Sequence, residues 1–184
     1  MSVTENEEQA PPLPLVEHSE VVFDDFGQLR RDVLRLPNQK QYSYYTMTTR
    51  KVGVLVVATT AEQQLVLVEE YRHPTERYLL GFPGGFVDEG ETVLEAGARE
   101  LLEETGYSAK SFELVGKAYP LPGLLSQITY YVRAKSAKQV DIPRLEGSEI
   151  LRPVLMTRKE LSIQAQQGRE LDASLCAALF FIHD

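Results

Sequence analysis

Cysteine occurs once in the 184 residues, at Cys176, and tryptophan is absent. A lone thiol cannot close an internal disulfide, so the fold must rest on its core, and a reducing compartment such as the cytoplasm suits it. Cys176 falls in the apolar run LCAALFFI, where it is expected to be buried as a small hydrophobe. Histidine is scarce too: His18, His73 and His183 are too scattered for a metal motif or a Ser-His-Asp or Cys-His pairing. No stretch reaches about 18 uninterrupted apolar residues, which excludes a membrane-spanning helix. The opening MSVTENEEQAPPLP is acidic and proline-rich, unlike the basic-then-apolar pattern of a secretory signal. Positive charge is also in deficit, with 19 basic against 27 acidic residues and a net charge of −8, so no nucleic-acid-binding surface is implied. A compact anionic ligand would need local help from a metal or a few arginines.

At 43% hydrophobic, the chain can build one core and does not call for a second domain. Residues 1–14 lack apolar periodicity and are expected to be a disordered tail. The remainder, 15–184, reads as one domain, with an N-terminal β segment over 15–50 and a core over 51–184. Val21 to Phe23, a turn at Asp24-Asp25-Phe26-Gly27 and Leu29 to Leu36 suggest a hairpin. Tyr42, Tyr44, Thr46 and Thr48 alternate as a strand with two usable faces. Val52 to Ala58 and Leu65 to Val68 are nearly continuous apolar runs, as in strands covered on both faces. Phe112 to Tyr119, Ile128 to Ala134 and Ile150 to Met156 are also strand-like, and Pro153 confines the last to an edge or bulge. Helices are expected from Arg158 to about Gln167, stopped by Gly168, and from Leu171 to Ile182, where Leu171, Leu175, Ala178, Leu179 and Ile182 share a face. Strands, one helix, strands, then two helices make an α+β chain with a mixed sheet between helices rather than a doubly wound one.

The informative stretch is GGFVDEGETVLEAGARELLEETGY, starting at Gly84. Thr92 with Glu95 makes a capping box and Gly106 a left-handed C-terminal cap, which bounds a helix at 93–105. At about 100° per residue, Leu94, Ala98, Leu101, Leu102 and Thr105 form one stripe, with Glu100, Glu103 and Glu104 on the other side. The plain alternative is a solvated acidic face. Like charges three and four apart oppose the helix by about 0.2–0.5 kcal/mol a pair, however, and a hard divalent cation is the natural partner for such a cluster. Arg99 can pair along the helix with Glu103 and across to Glu91, pinning loop to helix.

This stretch resembles the Nudix box. Gly85, Glu91, Arg99, Glu100, Leu101, Glu103, Glu104 and Gly106 match its fixed positions across 23 residues, with Tyr107 in the last. The resemblance implies a Nudix-type α/β/α sandwich with a mixed sheet. It implies Mg2+ as cofactor, with Mn2+ a possible substitute, held by Glu100 and Glu104, with Glu103 in support and the Gly84 carbonyl as a further ligand. Gly85, Glu91, Arg99 and Gly106 would be structural.

Outside the box, Glu70-Tyr71-Arg72 resembles the Glu-Gln-Tyr-Arg stretch of ADP-ribose pyrophosphatases, where the arginine reaches the substrate phosphates. Pro122, fifteen residues after Tyr107, is a mark of the same subgroup, and GRELD before the last helix is similar to its C-terminus. By that resemblance the substrate is ADP-ribose or another nucleoside diphosphate sugar, bound in part by Arg72 and Pro122, and the protein is a homodimer through the N-terminal strands. Some members have Ser-Glu where this chain has Ser126-Gln127, and glutamine cannot act as a base. Of the remaining loop carboxylates, Asp141, Glu146 and Glu149, one of Glu146 and Glu149 is expected to activate water or add a metal ligand. Hydrolysis of dinucleoside polyphosphates or damaged nucleoside triphosphates, or ADP-ribose sensing without cleavage, are the alternatives.

Overall fold

The computed structural model describes residues 11–25 and 27–182, so most of the expected tail and Phe26 of the first turn lie outside the described residues. The chain divides into two compact units.

The first unit runs to Arg50 and takes in Gly123–Ser126. It is an antiparallel meander of β1 (Leu15–Asp24), β2 (Gly27–Arg35) and β3 (Gln41–Thr49). β1 starts well before the expected Val21 and carries register shifts at Val16/His18 and Val21/Phe23. The β2–β3 turn needs Gln39 at φ 66° and closes with the Leu36 N–H donating to the Lys40 carbonyl. The Gly123–Ser126 segment runs beside β3, with the Met47 N–H donating to the Leu124 carbonyl at 2.7 Å. Two polar side chains meet inside this small sheet, where Ser19 donates to the buried Asp32.

The second unit, from Lys51 to Pro122 and from Gln127 onward, holds the larger mixed sheet. Its elements are β4 (Gly53–Thr60), β5 (Gln64–Arg72), β6 (Arg77–Gly81), β7 (Gly84–Phe86), α1 (Val93–Thr105), β8 (Tyr107–Ser108), β9 (Phe112–Ala118), β10 (Thr129–Gln139), β11 (Leu151–Thr157), α2 (Arg158–Gln166) and α3 (Ala173–Phe180). β10 lies parallel to β4 and every other pair is antiparallel. Alternation along β4 sorts the core. Val54, Val56 and Ala58 meet Ala96 and Leu101 of α1, while Val57 meets Leu161 of α2 and Leu175 and Ala178 of α3. Helices therefore cover both faces, and the unit is the expected α/β/α sandwich. Pro153 sits on the edge strand β11, which tolerates a residue without an N–H.

Two expectations fail. Leu94 and Leu102 are 38% and 37% exposed, and the buried stripe of α1 is Ala96, Gly97, Glu100, Leu101, Glu104 and Thr105. The helix is rotated so that its small residues face the sheet: a Cβ on Gly97 would lie 3.3 Å from Val56 and 3.5 Å from Val132. Glu100 and Glu104 are thereby carried inward. Cys176 is exposed rather than buried, because α3 turns Leu175 and Ala178 to the core and leaves Cys176 outside.

The sheet is split. β4 and β5 pair only at Ala58↔Val66 and Thr59↔Leu65. Beyond that, β6 takes over the pairing with β5 from Val68 to Arg72, and β7 takes over with β4 from Gly53 to Leu55. The chain crosses between them at Phe82-Pro83, held by the Val56 N–H donating to the Pro83 carbonyl. A cleft opens where the strands part. Among the described residues no helix is long and apolar enough to cross a membrane.

Candidate active site

α1 is fixed at both ends before any side chain is placed. Thr92 and Glu95 form the reciprocal capping box, and Gly106 at φ 74° caps the other end by donating to the Leu102 carbonyl at 2.8 Å. One turn apart on the inward face, Glu100 and Glu104 flank β7. Glu104 is 4% exposed and accepts the Gly84 N–H at 3.0 Å. Glu100 lies so close to Gly85 that a Cβ there would stand 2.4 Å from its carboxylate, which is why this position takes no side chain.

Arg99 holds the acids in register. Its Nε and Nη2 donate to Glu91 at 3.0 and 3.1 Å, its Nη1 to Glu100 at 2.8 Å and Glu103 at 3.1 Å, and Nη2 also to the Phe86 carbonyl at 2.9 Å. Loop, strand β7 and helix are joined through one guanidinium.

Among the described residues no comparable cation reaches Glu104. Burial, reinforced by the charges of Glu100, Glu70 and Glu149 and opposed by the Gly84 hydrogen bond, pushes its carboxyl up to about 9. Burial also raises Glu100, against the pull of Arg99, and raises Glu70, against the pull of Arg72. A buried acid without a counter-charge fits a bound cation. Among the described residues no three acidic, histidine or cysteine side chains converge as a ready metal cage. Two carboxylates and a main-chain carbonyl with room for water suit Mg2+, which keeps much of its hydration and also binds substrate phosphates.

Beside these acids, a cavity of about 240 Å³ occupies the cleft in the sheet, lined among others by Gly84, Gly85, Phe86, Glu70 and Arg72. Arg72 bonds Glu70 at 2.6 Å and lies 4.0 Å from Asp172, the N-cap of α3. Pro122 is exposed and is not part of the lining, where Pro120 stands instead. Asp172 and Glu70 were not singled out as site residues in the sequence. For Glu70 the signal was present, since alternation along β5 must send Glu69 and Glu70 to opposite faces.

Glu146 and Glu149 differ in placement. Glu146 is exposed, whereas Glu149 is partly buried, and its charge acts on Glu70, Glu100 and Glu104. The Glu149 carboxylate accepts the Glu146 N–H at 2.8 Å, and its own N–H donates to the Glu146 carbonyl at 3.1 Å, a tight local turn. Upstream, this loop is moored to the end of α1. Arg144 N–H donates to the Glu103 carbonyl, and Val140 and Asp141 N–H to the Gly106 carbonyl.

Gly106 is thus a cap and a docking point at once. A Cβ there would lie 2.2 Å from the Asp141 carbonyl oxygen, on backbone that only glycine adopts without strain. Gly106→Ala is expected to cost roughly 2–4 kcal/mol in urea unfolding and to lower turnover through the displaced loop. A midpoint within experimental error of the parent would refute that account.

The NUDIX domain family is matched over residues 49–179. The chain is 29% identical to a methanol dehydrogenase activator of Bacillus methanolicus, over 84% of each chain. It is 28% identical to an ADP-ribose pyrophosphatase of Bacillus subtilis, over 81% of this chain and 80% of that one. A crystal structure of an ADP compounds hydrolase superposes with a TM-score of 0.80 at 26% identity, over 94% of both chains. The chain belongs to the Nudix family. Within it, the protein is an enzyme of the pyrophosphatase kind.

Proposed function

We propose that the protein is a Mg2+-dependent pyrophosphohydrolase that splits ADP-ribose, or a related nucleoside diphosphate sugar, into a nucleoside monophosphate and a sugar phosphate. One observation carries this reading: Glu100 and Glu104, buried one turn apart, lie against Gly85 and Gly84, and these glycines line a cleft that also receives Arg72. The names of the relatives support the substrate class.

Glu100, Glu104 and the Gly84 carbonyl would hold the metal, and Mn2+ has the same oxygen preference. Bound there, the metal would supply positive charge for the pyrophosphate and would make the attacking water more acidic. Arg72 binds phosphate oxygens once it exchanges Glu70 for substrate, and Glu103, held by Arg99, keeps the acidic cluster aligned. Glu149 removes the proton from the attacking water, and it is the better candidate than Glu146 because it is partly buried and its charge acts on the other acids. Pro122, being outside the lining, would act only through the conformation of its loop. Glu149→Gln is expected to lower kcat by about 10² or more, and Glu146→Gln by a few-fold at most. The opposite ranking would move the base to Glu146.

We further read the protein as a homodimer through the N-terminal strands, a reading supported by Val21, Phe23, Tyr42 and Tyr45, each about half exposed there. Sedimentation equilibrium tests it directly.

The substrate reading is tested by chromatography of products after incubation with Mg2+ and ADP-ribose, ADP-glucose, GDP-mannose, diadenosine polyphosphates or nucleoside triphosphates. AMP forming fastest from ADP-ribose is the expected result. Cleavage of triphosphates or dinucleoside polyphosphates alone would assign the other substrate class, and binding of ADP-ribose without cleavage would make the protein a sensor.

A further inference from the structure

Glu69 and Glu70 are neighbours with different surroundings. Glu70 faces the cleft, while the Glu69 side chain points through the other face of β5 and is only 10% exposed. There it is bonded from two sides. Arg152 of β11 donates through Nε at 2.6 Å to one carboxylate oxygen, with its Nη2 2.5 Å from the same atom, and the Nη2 of Arg169, in the turn before α3, donates to the other. This contact is made by the Arg169 Nη2 alone, and its buried Nε has no hydrogen-bond partner among the described residues.

The two arginines stand at the roots of two segments, one carrying Glu149 and the other Asp172, which lines the cleft. Arg152 follows Glu149 by three residues, and Asp172 follows Arg169 by three. Pairing of β11 with β5 runs up to Leu151↔Glu70 and is extended by the Tyr71 N–H donating to the Ile150 carbonyl at 2.9 Å. Glu149 is therefore the first residue past the ladder, and the ladder's end is where Glu69 grips it. The second grip holds a turn whose neighbours also bond β6: the Leu80 N–H donates to the Glu170 carbonyl and the Asp172 N–H to the Leu80 carbonyl.

We propose that Glu69 is a positioning residue, a buried carboxylate clamp that sets the end of β11 and thereby the place of the Glu149 carboxylate. The inference rests on the reading of Glu149 as the base. A neutral amide at position 69 leaves two guanidinium groups facing each other without their common anion, and the end of the ladder loosens. Arg152 is 74% exposed at its side chain, so Arg152→Gln releases one arm while Arg169 still satisfies Glu69.

The test compares Glu69→Gln and Arg152→Gln, each alone and combined with Glu149→Gln, by kcat on ADP-ribose and by amide hydrogen exchange of the full chain. Each single change is expected to lower kcat about tenfold with KM nearly unchanged, and to have no further effect on kcat once Glu149 is already glutamine. The amides of Tyr71 and Glu149 are expected to exchange about tenfold faster, with those of Val56 and Val132 unaffected. Multiplying losses in the double variants, or unchanged exchange at Tyr71 and Glu149, would overturn the clamp. If the parent enzyme cleaves no ADP-ribose, the functional reading fails and hydrogen exchange alone decides the clamp. Should Glu69→Gln not fold, Arg152→Gln carries the same comparison.

Discussion

Glu104→Gln is expected to lower turnover by roughly 10³-fold while the protein keeps its fold. The amide has the volume of the acid and can still accept the Gly84 N–H, so packing against β7 survives. What is lost is the charge that, on the proposed reading, holds the cation. The same substitution has a signature in the metal-free protein. With its carboxyl pushed up to about 9 from an ordinary 4.5, folded Glu104 keeps a proton that the unfolded chain releases. Below the unfolded value both states are protonated and the group costs nothing. As pH rises through the window to about 9, the unfolded state gains, and stability in chelator should fall by on the order of a few kcal/mol. Glu100 and Glu70, also raised by burial, add to the fall with the same sign. Urea midpoints at pH 5 and 8.5 measure this. The parent should lose stability between them and regain it with Mg2+, which binds only the folded form, whereas Glu104→Gln should lose less and respond weakly to the metal. Undiminished turnover in Glu104→Gln would sink the metal-ligand assignment.

Arg99→Ala is expected to destabilise the protein by roughly 2–4 kcal/mol and to reduce turnover by about 10². Its side chain is 27% exposed, so each pair is partly screened, but its guanidinium serves Glu91, Glu100, Glu103 and the Phe86 carbonyl together. Removing it leaves a buried acid and a loop carbonyl without a donor and lets the approach loop drift from the helix. Arg99→Lys tests whether charge or geometry matters. An ammonium cannot span those four partners, so lysine should recover less than half of the lost stability, and little of the activity. Full recovery by lysine would reduce the fork to a simple counter-charge. Thermal melts with and without Mg2+, beside kcat at saturating metal, separate the two losses.

Much of the site was legible because its spacing is local. Thr92, Glu95 and Gly106 bounded the helix at 93–105 as observed, and Arg99 is within reach of Glu91 and Glu103 by helix geometry alone. The facing of that helix was not legible. A hydrophobic stripe assumes that burial follows apolarity, and here the sheet accepts Ala96 and Gly97 and draws Glu100 and Glu104 inward with them. Gly97, weak as a helix former, was the one sign that close packing ruled there. The short strands β6 and β7, set among proline and glycine, gave no periodicity to read. The different burial of Glu146 and Glu149 was not legible either, because their loop is placed by moorings on Gly106 and Glu103, contacts distant in sequence. Cys176 sits in an apolar run on a helix that buries one side, and composition cannot say which side.

The split in the sheet has a consequence for what the enzyme can measure. Arg72 rides on β5, whereas Glu100 and Glu104 ride on the helix that packs over β4 and β7, and these mounts part company after two residue pairs. The span between Arg72 and the acids is therefore set first by the angle at which two strands diverge, like the opening of a calliper. A phosphate chain of the wrong length would meet one jaw and miss the other. Lengthening the Phe82-Pro83 crossing by a residue should reset that gauge, leaving both sets of charged groups intact while changing which substrate spans them.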